Sequence, residues 1–152
     1  MTHTDETRKE AIDTFEGLIS ILEDGKLGYT NAAEHVDNHA VKTDLLGYAR
    51  ERDLFIVAMQ DEINKLGKST DTAGGGLLGS LHRTWIDIKS SLTAGDSEAI
   101  LNACITGDEA AVMRYQKVLE ENNLEATQID IIAKQLKSIQ HTLTEIKSKK
   151  AH

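Results

Sequence analysis

Glu51, Glu109 and His141 are the side chains in this sequence whose types and positions best suit metal-ion chemistry. Helical bundles that hold two metal ions project glutamates and Glu-x-x-His triplets inward from facing helices. Carboxylate oxygens and imidazole nitrogens together neutralise and orient such cations. Glu51 opens a triplet of this kind, but Leu54 stands where its histidine belongs. His141 closes one, but Ser138 stands where its glutamate belongs. On a helical wheel, Glu51 and Glu109 fall roughly 80° from the centres of their apolar stripes, and His141 lies nearly opposite its own. A complete two-metal centre is therefore not expected. Two readings stay open: a single, poorer iron or zinc site using Glu51, Glu109 and His141, or a solvated helix flank with no cofactor.

Three other charges fall near stripe centres. Lys26 fills the gap between Leu22 and Tyr29, Arg52 lies between Tyr48 and Phe55, and Asp108 lies between Ile105 and Val112. An isolated buried charge costs several kcal/mol, so each needs a partner or a route to water. The expectation is a core polar cluster in which Asp108 meets Arg52 or Lys26, with Tyr48 and Tyr115 as further partners. In the competing arrangement the stems of Lys26 and Arg52 carry their charges out to solvent.

Other motifs carry less. His35 and His39 have the spacing of a shared metal site, but they straddle a turn at Asp37 and Asn38. Gly67-Lys68-Ser69-Thr70 resembles the end of a phosphate-binding loop, yet Glu62 replaces the first glycine and a helix, not a strand, precedes it. Gly74 to Gly76 reads as a flexible entry to a short helix. Cys104, at the edge of an apolar face, reads as a small core residue.

These side chains must be positioned by helices. The chain contains no proline, and its apolar residues recur three and four apart. A first helix from about Asp5 to Val36 carries Ile12, Phe15, Ile19, Leu22, Tyr29, Ala33 and Val36. Gly25 and Gly28 interrupt it and imply a kink, a close helix contact or a small-molecule cavity. Asn38 offers the N-cap of a second helix, from about His39 to Leu66. Gly67 to Ser80 is the loosest stretch. An amphipathic segment follows, with Leu78, Leu81, Trp85, Ile88 and Leu92 on one face, and its Trp85 packs on the bundle or meets a second subunit. Two further helices are expected, from about Ser97 to Glu121 and Leu124 to Ser148, joined by a turn at Asn122 and Asn123. The fold class is thus all-α: an antiparallel four-helix bundle whose two hairpins are linked by a long crossover containing a short helix, the connectivity of ferritin-like folds.

The 152 residues suit one domain, 1–152. The net charge of −8 opposes binding to phosphate backbones, so no nucleic-acid partner is expected. No apolar run approaches membrane-spanning length and no secretory leader is read in the polar N-terminus, which points to a soluble, cytoplasmic protein. One cysteine forms no intrachain disulfide. Helix faces offer surfaces for a homo-oligomer.

Several stretches carry a family resemblance: Asp24-Gly25-x3-Tyr29-x2-Ala32-Ala33-Glu34, Ala49-x-Glu51-Arg52-x2-Phe55, Leu81-His82-Arg83-x-Trp85-x-Asp87-x-Lys89, Glu98-Ala99-Ile100-Leu101 and Gly107-Asp108-Glu109-x5-Tyr115. From about Phe15 to Ile146 the chain resembles a bacterial family of small ferritin-like four-helix proteins, itself a domain of unknown function. The resemblance implies a ferritin-like bundle and brings no activity with it. Set against ferritins and rubrerythrins, the incomplete Glu51 and His141 triplets argue against di-iron chemistry. The expectation is a non-enzymatic interaction or stress-related bundle; the alternative is a metal-binding bundle with a degenerate carboxylate site.

Overall fold

The computed structural model describes residues 2–68, 97–121 and 124–150. Among them are four α-helices and no strand: α1 (Thr2–His35), α2 (His39–Lys65), α3 (Ser97–Glu121) and α4 (Ala126–Lys150). The expected crossover helix around Trp85, the Gly74–Gly76 stretch and the Asn122-Asn123 turn lie outside the described residues.

Local chemistry sets the helix ends. Asn38 caps α2, its Oδ1 accepting from the Val41 backbone N–H at 3.0 Å. At the other end Gly67 takes φ +93°, a conformation that a Cβ disfavours. The Gly67 N–H donates to Asn64 O and the Lys68 N–H to Ile63 O, so the last carbonyls of α2 are satisfied by a Schellman turn. Before α4, Gln128 reaches back to accept from the Glu125 N–H at 3.0 Å, the return half of a capping box.

α1 packs against α2 and α3, and α4 packs against α3 and α2. Each neighbouring pair is antiparallel. Lys26 meets Asp53 and Lys68 meets Glu16 between the first two helices. Tyr48 meets Glu145 and Asp44 meets Lys149 between α2 and α4. Consequently α2 and α3 stand at opposite corners of the four-helix bundle and run in the same direction.

Burial follows helical periodicity. Phe15, Ile19, Leu22, Tyr29, Ala33 and Val36 of α1 are buried as expected. On α3 the periodicity predicts a stripe of Leu101, Ile105, Val112, Tyr115 and Leu119; Leu101 and Tyr115 are buried, together with Ile100, Cys104, Asp108 and Ala111, while Ile105, Val112 and Leu119 are half-buried. The core divides into two apolar clusters. One surrounds Phe15, Leu18, Met59, Tyr115 and Ile139. The other surrounds Tyr29, Leu45, Ile100, Cys104 and Ile146. Arg52 and Asp108, both buried, belong to neither apolar cluster.

Candidate functional site

An ion pair bridges the diagonal of the bundle. Arg52 enters from α2 at 1% exposure and Asp108 from α3 at 0%. Arg52 Nη2 donates to Asp108 Oδ2 at 2.9 Å. The Tyr29 hydroxyl of α1 donates to the same oxygen. The Arg52 guanidinium carbon also lies 5.2 Å from the centre of the Tyr29 ring, within reach of a cation–π attraction. Three helices thus converge on one carboxylate oxygen. Asp108 Oδ1 and Arg52 Nε are buried without a hydrogen-bond partner among the described residues.

Gly25 makes room for the guanidinium. A Cβ at that position would lie 2.8 Å from Arg52 Nη1, inside contact distance. The space expected near Gly25 for a small molecule is therefore filled by the protein's own arginine.

The electrostatics hold each group in one state. Burial works against the charge on Arg52, but neighbouring Asp108 outweighs it and raises the guanidinium above its usual range. Burial, reinforced by the Asp108 carboxylate, pushes the Tyr29 phenol well above its ordinary value. The same two causes, burial first, push the Cys104 thiol up, so it is a poor nucleophile. The arrangement can fix geometry, and neither the Tyr29 phenol nor the Cys104 thiol is placed to give up its proton near neutral pH.

The other expected members of the cluster lie apart from this contact. Lys26 turns to the flank, 42% exposed, with Nζ 2.8 Å from Asp53 Oδ1. Its long stem lets the ammonium escape an apolar site, where charge would cost several kcal/mol. Gly25 takes the inward position instead. Tyr48 is half-buried and donates to Glu145 Oε1 at 3.3 Å, although its ring meets that of Tyr29 edge-on at 5.4 Å. Tyr115 donates to Gln135 Oε1 at 2.7 Å, and Gln135 Nε2 donates to Phe55 O at 3.4 Å, a separate buried link joining α3, α4 and α2.

Tyr29 is the functional residue that the sequence reading placed only as a stripe residue. Its signal was present: a tyrosine inside an aliphatic stripe needs a partner for its hydroxyl, and it lies one turn from Gly25.

Of the expected metal ligands, Glu109 and His141 meet other side chains and Glu51 meets none that closes a hydrogen bond to its Oε1 among the described residues. Glu109 is exposed and lies 3.6 Å from Lys147 Nζ. His141 is exposed and lies 3.8 Å from Glu145. Glu51 is half-buried, and its Oε1 is buried without a hydrogen-bond partner among the described residues. Burial raises its pKa above the usual carboxylate value, while Arg52 and His141 oppose the shift. Among the described residues, no group of three or more His, Cys, Asp and Glu side chains is placed to hold a metal ion. His35 Nδ1 lies 2.8 Å from Asn31 O, a contact within α1.

Among the described residues no helix is long and apolar enough to cross a membrane. No curated protein matches the chain. A family model described as a domain of unknown function, DUF2383, matches residues 10–121. The matched stretch holds Gly25, Tyr29, Arg52 and Asp108 and ends with α3, short of the Ile146 limit suggested by sequence. Because the match takes in well over half of the chain and every member of the buried contact, the protein belongs to the DUF2383 family.

Proposed function

We propose that this chain is a non-enzymatic, ferritin-like interaction bundle whose centre is neutralised by an arginine of its own and not by a metal ion. The observation that carries this reading is the contact of Tyr29 and Arg52 with Asp108. A carboxylate buried in a bundle needs positive charge beside it. Metal-binding bundles meet that need with cations; here a guanidinium is held covalently in place. The shared direction of α2 and α3, with antiparallel neighbours on every side, supports the ferritin-like arrangement. The single cysteine is buried, which suits a reducing compartment, and we assign the chain to the cytoplasm.

A metal-binding reading competes, and the buried, unpartnered Glu51 Oε1 favours it. Metal analysis of purified chain after loading with iron or zinc and dialysis separates the two. The arginine-centred reading expects no stoichiometric metal and a melting temperature that chelator leaves unchanged. One or two retained ions per chain, lost in Glu51→Ala, would establish the metal-binding reading instead.

A further inference from the structure

The outer face of α2 carries a pattern that the bundle does not use. Leu54 is 65% exposed and Val57 53% exposed, and Leu27 of neighbouring α1 is 58% exposed. Leu54 and Val57 point away from the core, so their burial adds nothing to the fold. Arg50 lies one turn before Leu54, and Asp61 one turn after Val57. Both are exposed. Neither takes part in an ion pair among the described residues, although Asp53 and Lys65, close by on α2, pair with Lys26 of α1 and with Glu62.

The order Arg50, Leu54, Val57, Asp61 is symmetric about the midpoint of Leu54 and Val57. A two-fold axis through that point, normal to the helix, sets two copies of α2 antiparallel. It places Leu54 opposite Val57 of the second copy, and Arg50 opposite Asp61, each pair occurring twice. Closed two-fold interfaces require this property: residue i meets j while j meets i. Antiparallel helices pack at about 8–10 Å, which suits an arginine facing an aspartate at the rim of an apolar centre. Gly47, exposed and with open space around its Cβ position, leaves the approach unobstructed.

We propose that the outer face of α2 is a homodimer interface, closed by Leu54–Val57 contacts and by two reciprocal Arg50–Asp61 ion pairs between copies. It rests on the reading of the chain as an interaction bundle and names its partner as a second copy. Its failure would leave the metal analysis untouched, and metal retention would leave the dimer untouched.

Sedimentation equilibrium of the full chain at low salt tests it. The parent sediments as a dimer, and Leu54→Lys sediments as a monomer with unchanged helical circular dichroism. Arg50→Glu or Asp61→Arg alone raises the dimer Kd about tenfold, because symmetry repeats each change twice. Arg50→Glu and Asp61→Arg together restore the parent Kd to within about threefold. A parent that stays monomeric at every concentration overturns the proposal and leaves the face to another occupant. So does a dimer indifferent to Leu54→Lys, or one in which the two charge reversals add without recovery.

Discussion

Asp108 is the residue on which the bundle centre depends. Asp108→Asn keeps the side-chain shape but leaves the Arg52 guanidinium buried without a counter-charge. The expected loss is about 3–5 kcal/mol, read as a lower urea midpoint with an unchanged slope. Replacing both partners, with Arg52→Met and Asp108→Leu, removes two desolvation costs and is expected to recover most or all of that loss. A single-variant loss below about 1 kcal/mol would show that the pair is not buried in solution. Glu51 presents the opposite case. Burial raises its folded pKa above the ordinary 4.5, so the folded chain holds that proton more tightly than the unfolded chain does. Its ionisation therefore opposes folding above that range and has no effect well below it. Glu51→Gln should raise the melting temperature at pH 7, by an amount worth less than about 1 kcal/mol because the side chain is partly exposed. The gain over the parent should vanish as the pH falls below about 4.5. An equal gain at pH 3 and pH 7 would point to a cause other than ionisation.

Between elements, the decisive feature is how α1 and α2 meet at Gly25. In an isolated helix Ala would outrank Gly there by about 1 kcal/mol. In this bundle a Cβ would collide with Arg52 Nη1, and the guanidinium has little freedom to yield while it is bonded to Asp108. Gly25→Ala is thus expected to destabilise by about 1–3 kcal/mol. Combined with Arg52→Met and Asp108→Leu, the same substitution should become neutral or stabilising. A thermodynamic cycle over these variants checks the coupling; additive effects would mean that the arginine does not occupy this space. The α3 stripe shows how an element can mislead. Asp108 was legible as an inward charge and Leu101 and Tyr115 are buried beside it, but Ile105 and Val112 are only half-buried, and Ile100, Cys104 and Ala111 take the inward positions instead. Apolar residues make up just over half of α3, so its own periodicity does not select one face, and packing on α1 and α4 does.

On the scale of the molecule, periodicity without proline was enough for an all-α chain, for four helices ending within a few residues of their observed limits, and for the Asn38 cap. Those features depend on local hydrogen bonding and on the 3.6-residue repeat, which a sequence displays directly. The candidate site was only half legible. Arg52 and Asp108 stood out because a charge in an apolar stripe must be compensated wherever it lands. Which residue compensates it depends on how four helices are rotated and stacked, and no single stripe records that. Lys26 and Tyr48 fell to the flanks, and Tyr29 took their place. Asp24 and Ser20 show the same limit: neither belongs to the apolar stripe of α1, yet both are buried. Sequence alone determined that this protein is all-α with charged residues in its apolar stripes that need a partner or a route to water, because the cost of burying charge is a property of the residue. Tertiary structure decided that Arg52 reaches Asp108 across the diagonal, because only the assembled helices set the distances over which Coulomb attraction acts.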